Sequence, residues 1–500
     1  MTSLPALGRR IGLSVLCACA MCYGAWLAIP DVPGPDDGFI ALSSAQSVLR
    51  GSDPAFGVPA LTGATSPAYV AALVALLQSG ISPSSTLRAA AAASVVAFAL
   101  SLWLLACAAG IRPFAAFPFV IVIIGSGQVW MVSANGLETG LALAVLTAVL
   151  ASALANRRTL VALGTGVLPW LRPDMAPVAG VILLWTLWSL DWSARVRLVG
   201  LAILVAAPFA LWLRLDTGAW TPQTMQAKYA FFAEVCWPLR EKLAITRTVL
   251  TLWVLALVPA SLGLLLVWRL RLGALGLAAA VLVLCGYAWF FPRGLSHNSL
   301  RYVYPLLLPW SALGWVVALQ RWPREGVVVV AVAATVTLLF RAPQHEVRES
   351  IAKELVEVSA WLEQHVPHGA KLLVHDAGAV SVLTTHRLAD LVGLKTPSSI
   401  GVHEAITLPS CGARRGEAVV EIARKNGADY LVVIAGWDKP FGLSTALAQA
   451  GMLKEAVRTP PDSWPNGYTV YRLQSGSDAD SRSDVPGRSS YSPAAPRGAK

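Results

Sequence analysis

Residues 36–51, DDGFIALSSAQSVLRG, open on two adjacent carboxylates, Asp36 and Asp37, just after a first apolar run at about 11–30. From Gly38 to Arg50 the apolar positions recur at helical spacing among small polar ones, which predicts a helix lying in the membrane interface. A second short helix is expected over 66–80, opened by Ser66 and Pro67. A carboxylate pair at a membrane exit, backed by two juxtamembrane helices, suggests chemistry at the membrane surface. The competing reading is a solvated turn after the Pro-Gly-Pro of 33–35, or a cap on the helix that follows.

The rest of the chain supplies the membrane. Of 500 residues, 56% are hydrophobic and 13% charged, and the mean hydropathy is +0.60, whereas soluble domains carry about 25% charged residues. Apolar runs long enough for a hydrocarbon core of roughly 30 Å recur at about 11–30, 86–110, 114–132, 138–155, 159–171, 174–190, 197–214, 247–268, 272–291, 302–320 and 325–341. The expected fold is therefore an α-helical polytopic membrane protein with about eleven spans over residues 1–341, plus the juxtamembrane helices in an outer loop, 31–85.

The net charge of +11 does not imply nucleic acid, because much of it lies in short loops: Arg112, Arg157 with Arg158, Arg195 with Arg197, Arg269 with Arg271, and Arg321 with Arg324. Positive loops stay cytoplasmic, and Arg9 and Arg10 put the N-terminus there too. A cleaved signal peptide is the rival reading of the first run. The outer face then receives the Asp pair, Glu138, the turn at 171–174, and the loops at 215–246 and 292–301.

Past residue 341 the pattern changes. Short apolar runs such as KLLVHDAG and DYLVVIAGW alternate with amphipathic helices, predicting a soluble α/β domain over 342–475 on the outer side. Residues 476–500 lack large apolar side chains and are expected to be disordered. Five of seven cysteines, Cys17, Cys19, Cys22, Cys107 and Cys285, belong to apolar spans. Cys236 and Cys411 both face the oxidising side, either as a disulfide or as two free thiols. No zinc-ligand spacing appears.

Carboxylates and cations gathered on one membrane face suit transfer from a lipid-linked phosphosugar, which needs a base for the acceptor hydroxyl and cations for the departing phosphate. Asp36 and Asp37 are the base candidates; two like charges this close raise one pKa. The same pair could hold a divalent metal, although no His-carboxylate spacing demands one. Arg172, Lys228, Arg293, His297 and Arg301 are the candidate cations. Arg172 interrupts two apolar runs in LRPD, and a boundary ionisable residue is a functional hypothesis, set against a simple pair with Asp174. Arg301 precedes Tyr302 and Tyr304 and could grip a phosphate or anchor at the interface. Lys228 sits in the polar stretch TPQTMQAKYAF. Glu138, Asp174 and Tyr302 are candidates for lining a cavity or meeting the acceptor, with a plain helix start favoured for Glu138.

Five segments occur together in order: DDGFIALSSAQSVLRG with GATSPAYVAALVALL, SANGLETGLALAVL, LPWLRPDMAPV, TPQTMQAKYA and RYVYPLLLPW. In these the chain resembles the GT-C superfamily of polyprenyl-phosphate-sugar-dependent glycosyltransferases, nearest to mycobacterial terminal arabinofuranosyltransferase-like membrane proteins. VHDAGAVSVLTTHRLADLVGL resembles that family's outer domain. It departs at Gly38, where an aromatic or acidic residue is common, and at 57–65, which lacks an Asn-Pro-Gly turn.

The resemblance implies a multi-pass protein of a bacterial inner membrane that moves a sugar, with a pentofuranose such as arabinofuranose among the candidates, from a polyprenyl-phosphate donor to an extracytoplasmic glycan, lipid or protein acceptor. Inversion is expected. One of Asp36 and Asp37 would be the base, and Arg172, Lys228, His297 and Arg301 would meet the donor phosphate. For Asp376 and Asp390, turn roles are favoured over glycan contact. A transporter or lipid flippase is the main rival, although no internal repeat is visible; a non-catalytic glycan-binding scaffold is the second.

Overall fold

The computed structural model describes residues 24, 25, 27–30, 36–256, 258–322, 344–460 and 467–474. Most of the first expected span, all of the span at 325–341 and the tail at 476–500 lie outside the described residues.

The described chain is mostly helical. In the membrane part, Pro83–Ala108 packs along Glu138–Leu154, Arg158–Leu171 along Trp192–Thr217, and Val258–Val267 along Tyr304–Arg321. Their shared core is apolar throughout, with Phe98, Leu102, Leu146 and Trp310 fully buried. The contact between Val258–Val267 and Tyr304–Arg321 depends on small residues: a Cβ on Gly314 would collide with the backbone of Gly263, the close approach that drives helix association where lipid removes the hydrophobic incentive.

Among the described residues three helices are long and apolar enough to cross a membrane: Pro83–Ala108, Trp192–Thr217 and Arg271–Phe290. The expectation of about eleven is thus not reproduced as uninterrupted helices, for identifiable reasons. The run at 114–132 is bent by 79° between Ala116–Gly125 and Gly127–Ser133. The run at 247–268 is helical over Leu239–Ala256 and Val258–Val267, with residue 257 outside the described residues. Pro67–Gln78, Glu138–Leu154 and Pro173–Leu187 are apolar but short. Exposed Trp188, Trp192, Trp268 and Trp322 lie in the same turns as the basic clusters, as an interfacial aromatic belt would.

The C-terminal part is a five-stranded sheet in the order β2-β1-β3-β5-β4, from β1 (Lys371–Val374), β2 (Arg387–Asp390), β3 (Tyr430–Ile434), β4 (Leu453–Arg458) and β5 (Tyr468–Leu473). The first three are parallel and the last two antiparallel to their neighbours. KLLV and YLVVI are almost wholly buried, as central parallel strands covered on both faces require. LKEAVR forms the edge, with exposed Lys454 and Glu455 and broken register, features that discourage edge-to-edge pairing. Helix Arg415–Asn426 buries Ala418, Val419, Ile422 and Ala423, and Gly427 ends it in the left-handed region at φ 58°.

The two juxtamembrane helices form at Asp36–Arg50 and Pro67–Gln78. The first does not leave its polar face exposed, as a helix lying on a surface would. Its apolar face, with Phe39 and Leu42, packs inward, and its small polar residues Ser43, Ser44 and Ser47 are buried as well, because the C-terminal domain covers them. Lys395, fully buried, donates to Ser44 Oγ at 2.9 Å and to Asp53 Oδ2 at 3.0 Å, and the Leu388 N–H reaches the Ala55 carbonyl at 2.8 Å. Asp390 serves its turn, accepting the N–H groups of Val392 and Lys395 at 2.8 Å each.

Candidate active site

Asp36 and Asp37 occupy the first turn of the Asp36–Arg50 helix, where the dipole favours carboxylates; they are not in a loop. Successive helical residues point about 100° apart at 3.6 residues per turn, so the two side chains meet different surroundings. Asp36 turns to the C-terminal domain, accepting the N–H of Ala379 at 2.6 Å and of Gly378 at 2.8 Å. Asp37 turns to the segment before Tyr304–Arg321. Its Oδ2 accepts Arg301 Nη1 at 2.6 Å and Asn298 Nδ2 at 3.0 Å, with His297 Nε2 at 3.4 Å.

The consequence for protonation is a split. Burial and then the nearby Asp376 charge push the Asp36 carboxyl well above the usual carboxylate range, against the opposing N–H groups of Ala379 and Gly378. Burial would lift Asp37 too, but the Arg301 guanidinium, Lys228 and His297 override it and hold that carboxyl well below the usual range. His297 itself is pushed down by burial, against the hydrogen bond and charge of Asp37, which favour its charged form.

The cations meet on Tyr302. Its hydroxyl accepts Arg301 Nη2 at 3.0 Å and Lys228 Nζ at 3.4 Å, and its ring lies 4.9 Å from the Arg301 guanidinium and 5.1 Å from that of Arg172. Arg301 is 6% exposed, and its Nε has no hydrogen-bond partner. Lys228, His297, Arg301 and Tyr302 therefore come together with Asp37 as one constellation.

Arg172 does not join it as a free cation. Its Nε and Nη2 take both oxygens of Asp174 at 3.1 and 2.7 Å, and Nη1 takes Glu138 Oε1 at 3.1 Å. The pairing set against the phosphate role is the one formed, with Glu138 added; Glu138 also begins its helix. Asp174 further accepts the Tyr287 hydroxyl at 3.1 Å, and the Tyr287 ring is 4.8 Å from Tyr302. Arg172, Glu138 and Asp174 thus support Tyr302 from beneath. Arg293 is also elsewhere, over Trp237 at 4.4 Å, with its N–H on Glu234 at 3.0 Å. Among the described residues no group of three or more His, Cys, Asp and Glu side chains could hold a metal ion. A cation at the Asp pair would have to displace Arg301.

In comparison with solved structures, ArnT from Cupriavidus metallidurans bound to undecaprenyl phosphate aligns at TM-score 0.53 and 15% identity, over 91% of this chain and 97% of that one. The fold is GT-C-like. The mycobacterial arabinofuranosyltransferase AftD aligns at TM-score 0.48 and 17% identity, over 92% of this chain and 40% of that chain, so the present chain spans about two-fifths of its length. A family described as "Domain of unknown function (DUF8728)" matches residues 343–484. No curated protein matches the sequence.

Within this GT-C-like frame several residues escaped the sequence reading. Asn298, held at φ 46°, completes the Asp37 site; the signal available in the sequence was an asparagine next to the candidate His297. Lys395 and Asp53 resemble ordinary loop charges. Glu234, whose carboxyl burial pushes up to about 7, neighbours a disulfide between Cys236 and Cys411, with Cα atoms 5.4 Å apart. That bridge joins the loop after the Lys228 helix to the C-terminal domain, where Arg415 also donates to the carbonyls of Phe231 and Phe232 at 2.9 and 3.0 Å. In the purified protein, a maleimide is expected to label Cys236 and Cys411 only after reductant. Labelling without reductant would mean that the bridge does not form.

Proposed function

We propose that this protein is an integral membrane glycosyltransferase that moves a sugar from a polyprenyl-phosphate donor to an extracytoplasmic glycan, lipid or protein acceptor, with Asp36 as general base. The observation that carries the reading is the division between neighbouring carboxylates. Asp37 is held low on the cations, whereas Asp36 is pushed up beside the C-terminal domain, and titratable pairs driven apart in this way identify acid-base roles.

In the reaction, the acceptor oxygen attacks the anomeric carbon from the face opposite the phosphate, and its proton passes to Asp36. The bond from the anomeric carbon to the phosphate oxygen breaks, and its electron pair leaves with the polyprenyl phosphate. Arg301 and Lys228 stabilise that charge, with Arg301 Nε a donor left unpaired among the described residues. Asp37 orients Arg301, and Tyr302 spaces it from Lys228. Attack from the opposite face inverts the anomeric centre. The undecaprenyl phosphate bound to ArnT supports a polyprenyl-phosphate partner here, and the disulfide and basic loops support an outward-facing site in a bacterial inner membrane. A pentofuranose donor rests on the sequence resemblance alone.

The test is sugar release from synthetic polyprenyl-phosphate donors by the purified protein in nanodiscs, followed across pH. A base must be deprotonated to act, and burial raises the pKa of Asp36. Transfer should therefore rise with pH through a limb set above the ordinary carboxylate value of 3.8 and flatten beyond it, losing about tenfold per pH unit below the limb. A profile flat down to that ordinary value would reject Asp36 as base. A transporter or scaffold would consume no donor.

A further inference from the structure

The C-terminal sheet reverses its winding between β1 and β3. From β1 the chain passes to β2 on one flank, then returns to lay β3 on the other. Open α/β sheets hold ligands at such a switch point, in the crevice outside the carboxyl ends of the strands, where the loops diverge. Here His375 and Asp376 follow β1 and Trp437 follows β3, with the His375 and Trp437 rings 4.9 Å apart. Tyr468, at the start of β5, lies 6.0 Å from His375 ring to ring, and its hydroxyl donates to Asp376 Oδ2.

Among the described residues, the polar groups at this switch point have more hydrogen-bonding capacity than is filled. The contacts of Asp376 fall on Oδ2, and its side chain is 23% exposed. His375 is fully buried; its Nε2 makes an ion-pair contact with that oxygen at 3.1 Å, and its Nδ1 has no hydrogen-bond partner among the described residues. Buried polar groups without partners are rare enough to call for a reason. The crevice also abuts the base. Gly378 and Ala379, two and three residues beyond Asp376, are the groups that clamp Asp36. Gly378 leaves no space to drift, since a Cβ there would meet the Asp36 carbonyl, Ile40 N at 2.6 Å and Phe39 Cβ at 2.9 Å.

We propose that this crevice is the acceptor subsite, and that it takes a sugar ring with neighbouring hydroxyls: Asp376 accepts from one hydroxyl while Asp36 takes the proton of the next, and the half-buried Trp437 faces the ring. The inference rests on the reading of Asp36 as base. It makes the C-terminal domain part of the active site, with Asp376 setting which acceptors reach the base.

The experiment compares wild type, Asp376→Asn and Asp36→Asn, supplied with synthetic polyprenyl-phosphate sugars, with a panel of octyl glycosides as acceptor and water as the competing one. For Asp376→Asn the glycoside KM should rise about tenfold or more, and the partition of donor between glycoside and water should shift toward water. Its acid limb should also move to lower pH, because the neighbouring charge that opposes ionisation of Asp36 is gone; a merely structural defect would lower the rate without moving the limb. Unchanged KM and limb would overturn the proposal, as would hydrolysis falling in parallel with transfer, or wild type that hydrolyses donor but accepts no glycoside. If the Asn variant does not fold, Tyr468→Phe strips one hydrogen bond from Asp376 and leaves its charge. A glycoside KM changed by about threefold is then expected, and an unchanged one overturns the idea. Full transfer by Asp36→Asn, or no donor consumed by wild type, would instead sink the base assignment beneath it.

Discussion

Asp36→Asn should abolish sugar transfer, a fall of about 10²–10⁴-fold, while polyprenyl phosphate binds as before. The amide keeps the shape of the carboxylate but cannot take the acceptor proton. It also weakens the clamp, since one of the N–H groups of Gly378 and Ala379, now on the two Asp36 oxygens, would face an NH₂. Asp37→Asn provides the contrast. It removes the partner of Arg301 Nη1 at 2.6 Å and frees that guanidinium, so phosphate binding should change while a measurable rate remains. The comparison needs two readouts on each variant, transfer and equilibrium binding of polyprenyl phosphate. If the Asp37 variant were dead and the Asp36 variant active, the roles assigned here would be reversed.

Lys395→Met should loosen the C-terminal domain by about 3–5 kcal/mol, the cost of stranding a buried charge. The Lys395 side chain is 0% exposed and that of Asp53 2%, so water cannot replace the lost partner. Asp53→Asn should behave alike, and the double variant should recover much of the loss, because removing both members of a buried pair leaves no orphan. Thermal denaturation with limited proteolysis in nanodiscs would show it. Single variants that melt like wild type, or a double variant at the sum of the singles, would count against this account. The three oxygen and nitrogen groups involved come from the first helix, the loop after it and the C-terminal domain, so transfer should decline with the docking.

The sequence exposed what is periodic or local. The helices at Asp36–Arg50 and Pro67–Gln78 followed from spacing and an N-terminal proline, and the α/β character past residue 341 from short apolar runs. The pairing of Arg172 with Asp174 was legible because the two lie on either side of a proline. The arrival of Glu138, 34 residues away, was not. Asp37 and Arg301 are 264 residues apart, and no pattern joins them; each was a candidate, but as base and as phosphate cation, not as partners. Lys395 gave no signal, because lysine is almost never fully buried unless paired and its partner Asp53 is 342 positions away. Hydropathy counts apolar length but is blind to direction, so the bend after Gly125 was read as one straight span. The C-terminal domain was expected outside the membrane, yet nothing in its composition indicated that it would close over the first helix.

The clamp on Asp36 also has a bearing on biogenesis. The carboxylate is made early, whereas the amides that hold it are 342 and 343 residues downstream, between β1 and β2 of a sheet whose fifth strand, at 468–473, is made later still. A nascent chain can thus insert its helices and bring Asp37 to Arg301 before Asp36 is held. On the reading of Asp36 as base, translation order holds back turnover until the C-terminal domain has docked.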